Sequence, residues 1–183
     1  MRVAITAGGT GGHIFPALAI INKIKSHDKN SEFLYFGTTD RMEKDIIPER
    51  GIPYIAIPMK GLNRKQVWKN VTVLKIYLQA IKKAETELSK FKPDIVIGVG
   101  GYITAPVLVA AHRLGIKTLI HEQNSIPGVS NKLLSKFVDK ICISFKESET
   151  SFPKQKTVYT GNPRSEEILL MEKGNREDFG FNH

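Results

Sequence analysis

The start of the chain, where an apolar run meets a cluster of glycines, constrains the fold more than any other feature. Residues 3–7 form a short β-type run, four glycines surround Thr10 in residues 8–12, and apolar residues with helical spacing follow His13. A strand, a glycine turn and a helix in this order form an anion site, because backbone N–H groups converge at the positive end of the helix. The segment predicts a phosphate-bearing ligand. The alternative is a tight turn without a ligand, which does not require four glycines.

The spacing of these glycines argues against a dinucleotide site. A dinucleotide fingerprint requires the pattern G-x-G-x-x-G. Counting from Gly9 and Gly11, the third glycine would stand at position 14, which Ile14 occupies. A nucleotide-dependent oxidoreductase or epimerase is therefore disfavoured.

Short β-branched runs alternate with amphipathic helical patterns along the chain. This order predicts an α/β domain of Rossmann-like type, with a doubly wound parallel sheet and helices on both faces. The predicted strands are residues 3–7, 32–37, 54–57, 95–99, 118–121, 140–144 and, as a candidate, 157–159. The predicted helices end near residues 26, 50, 91, 114 and 137. A chain of 183 residues can bury a core of ordinary size.

Glycine-rich and polar segments fall at the predicted carboxyl ends of five strands. Ligands of parallel sheets bind at this edge, so we expect the five segments to face one crevice. In chain order the segments read GGTGGH (8–13), GTTD (37–40), GVGGY (98–102), HEQN (121–124) and GNPR (161–164). One or two such segments could be ordinary turns without a ligand, but five at the same edge are not readily explained in this way.

His13 is a candidate general base. It stands where the first predicted helix begins. A helix N-terminus disfavours the imidazolium form, so we expect a neutral imidazole that can accept a proton. The alternative is a histidine that only hydrogen-bonds the turn.

A second glycine turn, Gly100 and Gly101 followed by Tyr102, precedes another predicted helix. Two such turns side by side could hold the two phosphates of a diphosphate. The alternative is a helix N-terminal turn that binds no ligand.

The segments after later strands offer polar contacts rather than a metal site. His121 and Glu122 do not suffice for a metal, because no further His or Cys stands at ligand spacing. We expect Gln123 and Asn124 to contact a polar substrate. Arg164 suits an anion, since its guanidinium presents a planar fork to phosphate. The alternative for Arg164 is a surface ion pair.

Positive charge is concentrated in one part of the chain. The formal net charge is +9, and residues 60–92 contain nine lysines and arginines against two glutamates. Lysines mixed with apolar residues and a tryptophan suit the surface of an anionic bilayer, and the alternative is a core helix with a solvated lysine face. The residues assigned to this membrane patch are Lys65, Trp68, Lys69, Leu74 and Lys75. Nucleic acid is not expected as a partner, because aromatic residues are too few for a stacking platform.

Five motifs together resemble one known family. They are GGTGGHIFPALA (8–19), GTTDRMEKDIIP (37–48), GVGGYITAP (98–106), HEQNSIPGVSNK (121–132) and GNPR (161–164), and they cover nearly the whole chain in family order. The sequence is similar to the N-terminal half of the MurG family, bacterial glycosyltransferases that complete the peptidoglycan precursor lipid II. The resemblance implies one Rossmann-like half of a two-domain, GT-B-type enzyme. It also implies transfer of N-acetylglucosamine from UDP-N-acetylglucosamine to lipid I, with inversion and without a metal or other cofactor.

The resemblance implies roles for individual residues as well. His13 matches the proposed base of the family. The matching donor-binding positions are Thr10, Gly11, Gly12, Asn124 and Arg164. The loops that receive the diphosphate of lipid I match Gly8, Gly9, Gly100, Gly101 and Tyr102. We add Glu122 and Gln123 as further polar residues of the site. The basic patch would contact anionic lipids, which implies a peripheral protein on the cytoplasmic face of the cell membrane.

The second domain of the family, which holds most of the UDP site, is expected to be absent from this chain. We expect residues 1–165 to form the acceptor- and membrane-binding domain, and residues 166–183 to begin the interdomain linker. Without the donor contacts of the other half, the chain alone is expected to have little or no transferase activity. The alternative interpretation is a non-catalytic module on the membrane surface that binds a polyprenyl diphosphate sugar.

Overall fold

The computed structural model describes residues 1–59 and 70–165. Seven parallel strands form one sheet in the order β3-β2-β1-β4-β5-β6-β7. The strands are β1 (Arg2–Ala7), β2 (Glu32–Thr38), β3 (Tyr54–Ile57), β4 (Ile95–Gly100), β5 (Lys117–Glu122), β6 (Lys140–Ile143) and β7 (Thr157–Tyr159). The helices are α1 (Gly11–His27), α2 (Glu43–Glu49), α3 (Asn70–Phe91), α4 (Thr104–Arg113) and α5 (Val129–Leu134), with a 3₁₀ helix at Lys146–Ser151. The predicted α/β class and its seven strands are confirmed.

The central strands are buried on both faces, which explains their apolar sequences. Across the ladder between β1 and β4, Val3 pairs with Ile95 and Ile5 with Ile97. Val3 and Ile5 belong to the core cluster that contains α1 and α2, whereas Ala4 belongs to the cluster that contains α3, α4 and α5. Successive strand residues point to opposite faces. Two helices therefore cover one face of the sheet and three cover the other.

One helix ends earlier than its sequence pattern suggests. The pattern after the fifth strand extends to residue 137, but α5 ends at Leu134. The N–H groups of Phe137 and Val138 both bond the carbonyl of Leu134, at 2.9 and 3.1 Å, and this turn leads the chain into β6. The predicted helix that ends near residue 91 is described from Asn70, and it ends at Phe91.

The chain changes its direction across the sheet at β1. This strand lies between β2 and β4, so the chain leaves β1 on one side and returns on the other after β3. The helix α1 follows β1 on one face of the sheet, and α4 follows β4 on the opposite face. At such a switch point, open α/β sheets bind ligands in a crevice outside the carboxyl edge of the strands. Both predicted glycine turns lie at this crevice.

A separate apolar groove runs beside α1. Its lining includes Ile97, Leu119 and Cys142 from three adjacent strands and Ala19 and Ile20 from α1, and its volume is about 760 Å³. Residues 160–163 and 165 also line it. The glycine turns are not among its lining residues in the described part of the chain. This groove is therefore distinct from the crevice at the switch point.

Candidate active site

The two glycine turns lie directly against each other. The N–H group of Gly8 donates to the carbonyl oxygen of Gly100 over 3.3 Å. The same carbonyl accepts a bond of 2.8 Å from the hydroxyl of Thr104, which ties the second turn to α4. Gly101 has a φ of +87°, and a Cβ at this position would overlap the carbonyl oxygen of Gly8. Glycine is therefore required where the two backbones meet.

The N–H groups of the first turn divide into an inward and an outward set. Gly8 is buried, and the N–H of Gly9 donates to Oε2 of Glu43 over 3.2 Å. The first N–H groups of a helix have no acceptor within the helix, and α1 begins with Gly11 and Gly12. Gly12 is exposed. The N–H groups that remain available to a ligand are therefore those at the start of α1. The N–H groups of Gly8 and Gly9 are bonded within the protein and shape the turn.

His13 lies between the two turns. A Cβ on Gly100 would come within 2.7 Å of Nε2 of the imidazole. Nδ1 lies 3.4 Å from the hydroxyl of Thr10, and the ring also hydrogen-bonds the backbone of Gly8. Burial lowers the pKa of His13 below its ordinary value, against the opposing effect of the Glu122 carboxylate. A lowered pKa favours the neutral imidazole, as the sequence predicts, but its main cause is burial rather than the helix N-terminus.

Glu122 organises the loop between β5 and α5. The residue is 1% exposed. Its Oε1 accepts the backbone and side-chain N–H groups of Asn124, both at 2.9 Å. Its Oε2 accepts the N–H of Gly128 at 3.0 Å and the side-chain amide of Asn131 at 2.9 Å. Four donors occupy the carboxylate, so Glu122 fixes the exposed Asn124 rather than offering a free oxygen to a substrate.

Gln123 and His121 form a buried link between β4 and β5. The amide nitrogen of Gln123 donates to the carbonyl oxygens of Val99 and His121, at 2.8 and 3.0 Å, and lies 3.0 Å from Nδ1 of His121. Nε2 of His121 lies 3.2 Å from the carbonyl of Gly161, and burial lowers the pKa of this histidine. The amide nitrogen of Gln123 is therefore engaged within the fold.

Arg164 reaches α1 from the loop after β7. Its guanidinium carbon lies 5.1 Å from the centre of the Phe15 ring, a distance typical of a cation–π contact. The Phe15 ring packs against Gly11, where an added Cβ would come within 2.9 Å of it. The backbone N–H of Arg164 donates to Oδ1 of Asn162 over 3.0 Å. The structure therefore places Arg164 beside Phe15, near the start of α1.

Two residues at the crevice were not singled out from the sequence. Glu43 is fully buried beneath the first turn. The side chain of Arg41 interacts with Tyr102, which places a cation beside the second turn. A weak signal existed for Glu43, because the buried Ile47 stands four residues later on the same face of α2. No pattern in the sequence marks Arg41.

The predicted membrane patch is described only in part. Leu74 and Lys75 are exposed on α3. The other three predicted residues, Lys65, Trp68 and Lys69, lie outside the described residues. Within residues 1–59 and 70–165, no group of three or more His, Cys, Asp or Glu side chains could hold a metal ion.

Sequence comparisons assign the chain to a family. Residues 3–143 match the Glycosyltransferase family 28 N-terminal domain. The UDP-N-acetylglucosamine--N-acetylmuramyl-(pentapeptide) pyrophosphoryl-undecaprenol N-acetylglucosamine transferase of Bacillus licheniformis is 51% identical over 174 residues, which are 95% of this chain and 48% of that protein. The chain spans about half the length of the curated relatives it matches.

Solved structures show the same architecture. MurG of Acinetobacter baumannii has a TM-score of 0.76 at 31% identity, over 94% of this chain and 50% of that chain. UDP-GlcNAc 2-epimerase of Neisseria meningitidis has a TM-score of 0.69 at 17% identity, over 100% of this chain and 51% of that chain, which shows a shared fold alone. The resemblance to the MurG family is thereby confirmed. The chain belongs to glycosyltransferase family 28 and corresponds to the N-terminal domain of that family.

Proposed function

We propose that this chain is the acceptor-binding half of an inverting glycosyltransferase that transfers N-acetylglucosamine from UDP-N-acetylglucosamine to lipid I. The relative from Bacillus licheniformis carries the name of an N-acetylglucosamine transferase for a pyrophosphoryl-undecaprenol acceptor. The observation that carries the proposal is the contact between two glycine turns at the switch point, with His13 between them. Because the chain spans about half of its relatives, a C-terminal domain would supply most of the donor site.

The diphosphate of the acceptor would lie over the two glycine turns. The N-termini of α1, with 17 residues, and α4, with 10 residues, begin at this crevice. Each helix N-terminus carries about half a positive charge. Arg41, beside Tyr102, adds a guanidinium. Main-chain amides together with a guanidinium are suitable donors for a diphosphate. We assign the acceptor site to these two turns: Gly8 and Gly9 shape the first turn, and Gly100, Gly101 and Tyr102 form the second.

His13 would act as the general base. Its neutral imidazole takes the proton of the muramoyl C4 hydroxyl as that oxygen bonds to the anomeric carbon of the donor. The bond from this carbon to the phosphate oxygen of UDP breaks on the opposite side, so UDP leaves with the electron pair and the configuration inverts. The carboxylates of Glu122 and Glu43 favour the imidazolium that forms, since both raise the pKa of His13.

Contacts from this half to the sugar donor, UDP-N-acetylglucosamine, would come from residues at the rim of the crevice. Thr10, Gly12 and Asn124 are exposed there. Glu122 fixes Asn124, and Phe15 holds the guanidinium of Arg164. The residues we assign to UDP-N-acetylglucosamine are Thr10, Gly11, Gly12, Asn124 and Arg164.

The chain would meet its lipid substrate as a peripheral protein on the anionic, cytoplasmic face of the cell membrane. Leu74 and Leu78 are 59% and 53% exposed and stand four residues apart on α3, with Lys75 and Lys82 exposed beside them. Apolar side chains flanked by lysines suit an anionic interface. In the described part of the chain, no helix combines the length and the apolar character needed to cross a bilayer.

Transfer by a reassembled enzyme tests the function. The chain is joined genetically to the C-terminal half of the Bacillus licheniformis relative, and conversion of lipid I to lipid II is measured with labelled UDP-N-acetylglucosamine. We expect transfer by the fusion and little or none by the chain alone. His13→Ala should abolish transfer, whereas His27→Ala should not, because His27 is exposed at the far end of α1. Full turnover by the chain alone, or by the His13→Ala fusion, would contradict the proposal.

A fusion without transfer would instead favour the non-catalytic alternative if the chain still binds membranes. Sedimentation with phosphatidylcholine vesicles, with and without phosphatidylglycerol, measures that binding. We expect binding to the anionic vesicles at low salt and release at high salt. The double variant Leu74→Ser/Leu78→Ser should bind less, while Val158→Ser, at a residue 47% exposed on β7, serves as the control. Equal binding to neutral vesicles would contradict the electrostatic part of the proposal.

A further inference from the structure

The carboxylate of Glu43 is fully buried beneath the first glycine turn. Its Oε2 accepts the N–H of Gly9 at 3.2 Å, and its Oε1 accepts the N–H and the hydroxyl of Thr38 at 3.1 and 2.7 Å. The side chain thereby joins the start of α2, the end of β2 and the turn after β1. A buried carboxylate needs hydrogen bonds to compensate its desolvation, and these three donors fix its position.

Close packing restricts the same carboxylate further. A Cβ on Gly8 would come within 2.5 Å of its Oε1, and a Cβ on Gly37 within 2.8 Å of the Glu43 Cγ. The hydroxyl of Tyr54 donates to the carbonyl of Thr38 over 2.6 Å and secures the end of β2. The first turn therefore rests on a carboxylate that has little freedom to move.

Electrostatics alone would not place a carboxylate at an anion site. A negative charge near a diphosphate weakens its binding through Coulomb repulsion. The position of Glu43 is instead explained by its effect on the backbone geometry of the first turn. Gly9 has a φ of +97°, and the bond to Oε2 of Glu43 directs its N–H away from the crevice. This orientation leaves the N–H groups of Gly11 and Gly12 at the open end of α1.

We propose that Glu43 is a positioning residue for the diphosphate: its carboxylate fixes the turn after β1 so that the N-terminus of α1 stays directed at the ligand. Glu43 does not touch the ligand itself. The inference rests on the proposed function, because it takes the crevice to bind a diphosphate, either that of the nucleotide donor or that of the lipid acceptor.

Glu43→Gln tests the role with little change of shape. The variant replaces one carboxylate oxygen by an NH₂ group, so one of the present donors must face another donor. Since two of the three donors belong to Thr38, we expect the remaining oxygen to stay with Thr38 and Gly9 to lose its acceptor. Glu49→Gln is the matched control, because Glu49 is exposed on the same helix and its loss removes the same charge.

Two measurements on the whole chain distinguish a positioning effect of Glu43 on the first turn from the effect of its negative charge on ligand binding. NMR hydrogen exchange at Gly9, without ligand, should become about tenfold faster in Glu43→Gln, as expected for the loss of a bond to a charged acceptor. The affinities for inorganic pyrophosphate, uridine diphosphate and farnesyl diphosphate are then compared. Positioning predicts weaker binding in Glu43→Gln, by about threefold or more, and no change in Glu49→Gln. Loss of a charge alone predicts tighter binding, which is the opposite sign.

Unchanged exchange at Gly9, or equal or tighter binding of pyrophosphate, would overturn the inference. Weakening confined to uridine diphosphate or to farnesyl diphosphate would support it and assign the site to the donor or the acceptor. An unsubstituted chain that binds none of the three would contradict the proposed function, while exchange at Gly9 would still decide whether Glu43 holds the turn. If Glu43→Gln does not fold, Thr38→Val removes only the hydroxyl donor, and the same two measurements should change in the same directions by less.

Discussion

The two glycine turns at the crevice are fixed by different means. The turn after β1 is held by the carboxylate of Glu43, and a Cβ on Gly9 would meet no atom within 4 Å. The turn after β4 is held by close packing, since a Cβ on Gly101 would overlap the backbone of Gly8, and by the hydroxyl of Thr104. Both glycines have positive φ, +97° and +87°. The first turn therefore needs glycine for its backbone conformation, whereas the second also needs glycine for space.

Gly101→Ala and Gly9→Ala should differ most in their effect on the free energy of unfolding. Gly101→Ala combines backbone strain with overlap of the Gly8 carbonyl, so the free energy of unfolding should fall by about 2 to 5 kcal/mol. Gly9→Ala introduces strain without overlap and should cost about 1 kcal/mol. Urea denaturation followed by circular dichroism measures both. Equal losses would show that packing does not hold the second turn.

Glu122→Gln extends the comparison to the second buried carboxylate. Its four donors leave no position for an NH₂ group without a donor facing a donor, so the free energy of unfolding should fall by about 2 to 3 kcal/mol. Glu147→Gln, at an exposed residue of the 3₁₀ helix, should stay within about 0.5 kcal/mol of the unsubstituted chain in the same denaturation experiment. If the two variants are equally stable, the loop does not depend on Glu122.

Thr104→Val sharpens the description of the second turn. The substitution removes the hydroxyl that donates to the Gly100 carbonyl and keeps a methyl group beside Gly98. We expect a loss of about 1 to 2 kcal/mol, because the bond is buried. Thr86→Val is the control, since the hydroxyl of Thr86 makes an exposed bond to Lys82 within α3. A loss no larger than that of the control would mean that this hydroxyl does not hold the turn.

The second glycine turn also helps to bury His13 and thereby influences the pKa of its imidazole. Burial holds this pKa below the ordinary value of about 6.5. Because the ring lies against Gly100, Gly100→Ala should displace it toward solvent and raise its pKa toward that value. NMR titration of the ring proton measures the change, and an unchanged or lower pKa would contradict the assignment of burial to this turn.

The lowered pKa of His13 also determines how the free energy of unfolding depends on pH through this residue. The folded protein binds a proton on His13 more weakly than the unfolded chain does. The unfolded chain is therefore protonated first as the pH falls below about 6.5, and the free energy of unfolding decreases toward acid. The contribution is complete above that pH and is lost as the pH falls through the lower pKa of the folded state. Gly100→Ala should flatten this dependence.

The sequence was sufficient for the sheet but not for the contacts that shape its edge. Strands such as residues 95–99 are predictable because each apolar run ends at glycine, proline or polar residues. The role of Glu43 was not predictable, because its partner Gly9 stands 34 residues away and a glutamate in the first turn of a helix is usually solvated. The full set of hydrogen bonds to the Glu122 carboxylate was likewise not predictable, because one of them comes from Asn131, nine residues later. The assignments of His13 and of the donor and acceptor contacts stay predictions.

A diphosphate should bind where the turns after β1 and β4 meet, and NMR mapping of the bound group decides whether it does. The ¹⁵N-labelled chain is titrated with farnesyl diphosphate, and the amide shifts are followed residue by residue. We expect saturable shifts at residues 10–12 and 101–103, with little change along α3 or in the groove beside α1. Shifts confined to the lysines of α3 or to that groove, with both glycine turns unaffected, would show that the diphosphate binds elsewhere.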